Sequence, residues 1–205
     1  MIAQPPLDLT PMDAFFTSLA VVTAAEIGDK TQLLALLLAA KFRKPMPVVA
    51  GIFVATLANH GIAAGIGVAV AQWMGPDLMR WIVGLSFIAM AAWTLVPDKM
   101  DDEPRMWERA GAFVATAISF FLVEIGDKTQ IATVALGARF GDLLWVTAGT
   151  TLGMLIADVP AVFIGGAMAE RLPLKLMRMV AAALFALLGV LALTDVGAGL
   201  LKGGW

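Results

Sequence analysis

Six stretches of this chain carry almost no charge, and each approaches the length of a bilayer crossing. Allowing a few residues at each end, they run over 14–40, 47–73, 78–96, 109–138, 143–169 and 175–195. About 20 apolar residues in a helix cross about 30 Å of hydrocarbon. Backbone groups in lipid must be satisfied within the segment, so runs of this length predict helices. The expected fold is all-α: an integral membrane protein with six transmembrane helices. Composition agrees, with 60% hydrophobic and 15% charged residues and a mean hydropathy of +0.87, values foreign to a soluble domain.

The chain has no cysteine, which excludes disulfides, thiolate metal sites and thiol redox chemistry. Its net charge of -2 says little about partners in so buried a chain. The bilayer and a small ion are the expected partners, nucleic acid is not, and a homo-oligomer is left open. No Lys or Arg precedes the first apolar run, so the start lacks the positive region of a cleaved signal peptide, and the first helix is expected to persist. Lys41, Arg43, Lys44, Lys99, Arg105, Arg109, Arg171, Lys175 and Arg178 fall on one face, while Arg80, Arg139 and Lys202 fall on the other. The positive-inside rule makes the first face cytoplasmic. That predicts a multi-pass protein of the bacterial inner membrane with both termini periplasmic.

Sliding the sequence by 98 residues aligns Glu26-Ile27-Gly28-Asp29-Lys30-Thr31-Gln32 with an identical heptapeptide, Glu124 to Gln130. The same ungapped offset matches Phe15 with Phe113, Phe42 with Phe140, Ala50-Gly51 with Ala148-Gly149, Gly67 with Gly165, and Leu78-Met79-Arg80 with Leu176-Met177-Arg178. The repeat therefore divides the chain into 1–97, a polar linker at 98–108, and 109–205. Three helices per copy is an odd number, so the second copy enters the membrane from the opposite side. Two inverted three-helix repeats are the architecture of carriers that rock about a central site.

Both heptapeptides fall near the middle of their spans. A charge at that depth costs at least about 2.5 to 3.5 kcal/mol, and each copy carries three. On a straight helix Glu26, Asp29 and Lys30 share one face, with Gly28 and Gln32 pointing elsewhere. The glycine before each aspartate also permits an unwound segment. The bland alternative is an i, i+4 ion pair of Glu26 with Lys30, with Gly28 easing helix approach. Glu26, Asp29, Glu124 and Asp127 sum to -4, and Lys30 with Lys128 return +2. The residual -2 equals one divalent cation or two protons, so electroneutral exchange of one for the other is expected. Crowded acids away from water cannot all ionise cheaply, which makes proton coupling natural.

Two copies of Glu-x-Gly-Asp-Lys-Thr, at Glu26 to Thr31 and Glu124 to Thr129, resemble the hallmark of the six-helix cation/proton exchanger family that includes the Golgi calcium and manganese exchangers and bacterial manganese exporters. The resemblance covers essentially the whole chain. It implies a proton-coupled transporter of Mn²⁺ or Ca²⁺ with the motif acids Glu26, Asp29, Glu124 and Asp127 as metal ligands, H⁺ as counter-ion and no cofactor. Eukaryotic members often carry a long acidic central loop, where this chain has only a short segment.

Other polar residues lie in the spans. Lys30, Thr31, Gln32, Lys128, Thr129 and Gln130 are expected to support the acids, either as ligands or by orienting them. Asn59 and His60 in the second span, and Asp158 before Pro160 in the fifth, are candidates for a secondary ligand or proton relay. The 98-residue offset sets Asp158 opposite His60. Each has a plain reading as a hydrogen-bonded core residue. The twelve methionines read as core filler, and Gly61, Gly65, Gly67, Gly165 and Gly166 as sites of close helix packing. Oxygen ligands without sulfur suit Mn²⁺ or Ca²⁺ over Cu⁺ or Zn²⁺. A cation-selective channel could use the same carboxylates. An intramembrane enzyme lacks a nucleophile and base pair, and an anion carrier is opposed by acids outnumbering lysines two to one.

Overall fold

The computed structural model describes residues 10–96, 110–164 and 174–194. Among these residues every regular element is a helix: α1 Pro11–Glu26, α2 Lys30–Phe42, α3 Pro45–Trp73, α4 Pro76–Thr94, α5 Gly111–Glu124, α6 Lys128–Phe140, α7 Leu143–Ile164 and α8 Leu174–Leu193. The polar linker at 98–108, Gly165 and Gly166, and the cations Lys99, Arg105, Arg109, Arg171 and Lys202 lie outside the described residues.

Local chemistry sets the boundaries. α1 opens with a capping box, in which the Thr10 hydroxyl accepts from Asp13 N–H while Asp13 accepts from Thr10 N–H, satisfying donors a helix start leaves free. These bonds hold the Asp13 carboxyl below the usual carboxylate range. α2 ends at Arg43 (φ 50°) ahead of Pro45, and α6 ends at the repeat-equivalent Gly141 (φ 63°), a left-handed residue that closes a helix. α7 begins where Asp142 Oδ1 accepts from Trp145 N–H at 3.0 Å.

The straight-helix expectation for the first and fourth spans is corrected: each is two helices, broken inside the motif. Ile27 (φ -64°, ψ 114°) and Gly28 (φ 83°) make the bend of a type II turn, closed by Asp29 N–H to Glu26 O at 2.9 Å. Ile125, Gly126 (φ 78°) and the 3.1 Å bond from Asp127 N–H to Glu124 O repeat it. Positive φ is where glycine replaces any other residue at little cost. Of the eight helices, α3 and α7 are long and apolar enough to cross a membrane alone.

The closest helix pairings all cross the middle of the chain: α1 with α7, α4 with α8, and α3 with α5 and α6. Contacts reciprocate under the 98-residue offset. A Cβ on Gly51 would stand 2.8 Å from Phe113 O and 2.7 Å from Thr116 Cβ, while one on Gly149 would collide with the equivalent Phe15 and Ser18. Phe87 stacks on its own repeat-mate Phe185, ring centroids 6.1 Å apart. Of the glycines expected to allow close approach, Gly67 does so, against the α6 backbone at Val134; Gly61 and Gly65 make only ordinary contacts. Large apolar side chains such as Phe16, Met46, Trp73 and Leu144 remain on the outside, as a surface solvated by lipid requires.

Candidate functional site: a buried carboxylate cluster

The two turns place chemically distinct groups at helix ends. Glu26 and Glu124 are the last residues of α1 and α5, and Asp29 and Asp127 cap α2 and α6. Helix C-termini carry partial negative charge, so the glutamates stand where a cation is favoured. All four acids are buried.

Carboxylate oxygens of Glu26, Glu124 and Asp127 lie within 4.8 Å of one another. Oxygens bound to one Ca²⁺ sit about 2.3–2.6 Å from it, so ligands on opposite sides are about 5 Å apart, and this spacing suits a single ion. Asp29, the fourth acid expected as a ligand, stands outside that cluster and contacts Lys128 Nζ through Oδ1 at 2.6 Å. Its counterpart is Lys30 Nζ to Asp127 Oδ1 at 2.8 Å. Each half thus neutralises the aspartate of the other, and the alternative reading of Lys30 as the i, i+4 partner of Glu26 gives way to its pairing with Asp127, because the turn redirects it. The two bridges differ in burial: Lys30 is 24% exposed and Lys128 2%.

Supporting residues act as local braces. Thr31 donates its hydroxyl to Glu26, and Thr129 donates to Glu124 at 2.9 Å, with Asp127 Oδ2 at 3.3 Å. This leaves Oε1 of both glutamates without a hydrogen-bond partner among the described residues. The glutamines, expected to point away, instead close the turns: Gln32 Oε1 accepts from Gly28 N–H (3.1 Å), and Gln130 Oε1 accepts from Gly126 N–H (2.7 Å). Their amide nitrogens reach equivalent positions in α7 and α3. Gln32 donates to Ala157 O at 2.9 Å, and Gln130 donates to Asn59 Oδ1 at 2.8 Å.

Asn59 therefore joins the site through Gln130. His60, fully buried, lies instead against Thr150 of α7. Asp158 is fully buried, outside the three-carboxylate cluster but near enough to Glu26 and Glu124 for their charges to interact. The sequence reading did not single out the buried Thr147, Thr150 and Thr151 of α7, although their spacing in an apolar helix was visible.

With the two aspartates paired to lysines, Glu26, Glu124 and Asp158 are the buried acids that no lysine is shown to pair with among the described residues. Comparison with known proteins meets this chemistry. The family model described as "Divalent cation/proton antiporter GDT1" matches residues 14–102 and 112–199. A Vibrio cholerae serotype O1 protein provisionally described as a manganese exporter is 54% identical over 180 residues, covering 87% of this chain and 90% of its own. The GDT1-like protein sll0615 of Synechocystis is 28% identical over 88% of this chain and 97% of its own, and GDT1-like protein 3 of Arabidopsis thaliana is 25% identical over 84% and 68%. No solved structure matches. This chain belongs to the GDT1 family of divalent cation/proton antiporters.

Proposed function

We propose that the chain exports Mn²⁺, with Ca²⁺ as the second choice, in exchange for protons across the bacterial inner membrane, both termini lying in the periplasm. The observation that carries this reading is the buried convergence of Glu26, Glu124 and Asp127. Three carboxylate oxygens around one point bind a hard divalent cation or are neutralised by protons, and in a dry site they cannot be left bare. Asp29 completes the set, entering when Lys128 shifts; Lys30, Lys128, Thr31, Thr129, Gln32 and Gln130 hold the acids in place. Manganese is preferred on the description of the Vibrio cholerae relative.

The carrier has six membrane spans in two inverted repeats, 1–97 and 109–205, with α1–α2 and α5–α6 each forming one broken span around the site. The reciprocal contacts of Gly51 and Gly149 and the crossed lysine–aspartate pairs support this. Rocking of one half against the other exposes the cluster to each side in turn, and the unequal burial of Lys30 and Lys128 is what an off-centre position of that motion leaves behind. A channel would need open access to its carboxylates, whereas these are enclosed.

Purified protein in vesicles holding a pH indicator, challenged in turn with Mn²⁺, Ca²⁺, Mg²⁺ and Zn²⁺, tests the reading. Mn²⁺ is expected to drive counter-movement of protons, saturably, and Glu26→Gln or Glu124→Gln to abolish it. Ion flux without proton movement, or flux undiminished in both variants, refutes it.

A further inference from the structure

Asp158 is an acid that the paired motifs do not account for. It is fully buried, neither of its carboxyl oxygens has a hydrogen-bond partner among the described residues, and it stands near both glutamates of the cluster without joining it. A lone carboxylate in such surroundings is costly, and the two lysines are already committed to Asp29 and Asp127.

The rest of its helix face gives it a context. Positions 147, 151, 154 and 158 repeat at helical spacing, and eleven residues return to within about 20° of the same direction. They are Thr147, Thr151, Met154 and Asp158, with Thr150 alongside. All five are buried, and the hydroxyls of Thr147 and Thr151 have no partner among the described residues. Gly61 of α3 approaches Thr147, and His60 of α3 approaches Thr150, so the stripe faces inward. Thr150 donates to Val146 O at 2.9 Å. In α3 the positions equivalent to the three threonines are Val49, Ile52 and Phe53. The three hydroxyls nearest the Asp142 end therefore occur in α7 only, whereas α3 turns polar deeper in, at buried Thr56, Asn59 and His60.

We propose that Thr147, Thr150 and Thr151, leading to Asp158, form a proton lane joining the carboxylate cluster to the membrane face where α7 begins, separate from the path of the metal ion. The lane rests on the antiporter reading and adds a route to it. Hydroxyls relay a proton by donating one and accepting the next, but they offer too few oxygens to strip water from a divalent cation. From Thr151 to Asp158 is about 10 Å along the helix, with fully buried Met154 between them on the same face, so the last step of the lane needs that flexible side chain to swing aside and admit water. Asp158 hands a proton to a glutamate as the metal leaves and takes another from the lane. Its own charge is the same before and after, so the exchange of one cation for two protons keeps its balance. The other titratable groups buried on helices around α7 are Glu26 of α1, Asp29 at the start of α2, His60 of α3, Asp127 and Lys128 at the start of α6 and Arg139 near its end, with half-buried Lys30 heading α2 and Glu124 beyond them at the end of α5. Those at the turns are the cluster and its crossed pairs.

Two fluxes separate the lane from the metal site: proton-driven Mn²⁺ efflux, and Mn²⁺/Mn²⁺ counterflow at equal pH, which needs no proton transfer. In vesicles of full-length protein, Asp158→Asn is expected to retain counterflow and lose proton-driven efflux by about a hundredfold, with Asp158→Glu restoring part of it. Thr147→Val with Thr151→Val is expected to slow proton-driven efflux about tenfold, leave counterflow intact and flatten the dependence on pH at the lane's side. Asp158→Asn losing counterflow in folded protein makes Asp158 a metal ligand and overturns the proposal. So does wild-type proton-driven efflux in Asp158→Asn or in the double threonine variant. Should Asp158→Asn fail to fold, the threonine variant decides alone. Absence of proton coupling in the unsubstituted protein would instead sink the antiporter reading itself.

Discussion

The crossed ion pairs predict that two chemically identical substitutions have unequal effects. Asp29→Asn leaves Lys128 with its 2.6 Å partner neutralised and its side chain 2% exposed; Asp127→Asn does the same to Lys30, which is 24% exposed. Removing one member of a buried pair typically costs about 3–5 kcal/mol. A stranded lysine can limit the damage by giving up its proton, which at pH 7 costs about 5 kcal/mol from an ordinary lysine pKa. Lys128, at 2% exposure, cannot turn its ammonium toward water, so Asp29→Asn should cost the more of the two. Lys30 can turn its ammonium toward water, so Asp127→Asn should cost nearer the about 1 kcal/mol of an exposed pair. For a chain of this length, each kcal/mol moves Tm by about 2–4 °C. Thermal unfolding in detergent, followed by tryptophan fluorescence, should then show a drop of about 10 °C for Asp29→Asn and under about 5 °C for Asp127→Asn. Equal shifts, or the larger one for Asp127→Asn, would refute the asymmetry.

Gly126→Ala tests the break in the fourth span by sign alone. With φ at 78° and nothing near a new Cβ, alanine should lower stability by about 1–2 kcal/mol; in an unbroken helix the same change would raise it by about 1 kcal/mol. At the start of α1, the depressed Asp13 carboxyl contributes a cap that is fully present above the ordinary carboxylate pKa and lost as pH falls through its own lower value. Amide exchange in the first turn of α1, corrected for intrinsic rates, should hold steady down to about pH 4 and accelerate below it, and Asp13→Asn should remove that acid-dependent acceleration.

Much of the site could be read from the repeat. Seven identical residues at one offset located both acid clusters, and the same offset relates Asn59 to Ala157, the two positions that Gln130 and Gln32 reach. Helical projection failed where the chain stops being a helix. Gly28 is compatible with either a weak helix or a turn, and only its φ of 83° decides between them. Once the turn is made, Lys30 leaves Glu26 and meets Asp127, a partner 97 positions away that no local pattern indicates. The threonines of α7 escaped notice for a different reason: hydroxyls in membrane helices usually bond their own backbone, and their importance depends on what lies at the end of the stripe. The interleaving of the halves was likewise hidden, because a repeat says which positions correspond and nothing of which helices touch.

Because every motif lysine finds its counter-charge on the opposite copy, neither copy is a finished object. A solitary half would hold its lysine and its acids crowded on one turn, without the crossed partners that the other half supplies. Assembly must therefore bring the two copies together before either can settle, and the smallest unit able to mature in the bilayer is the pair.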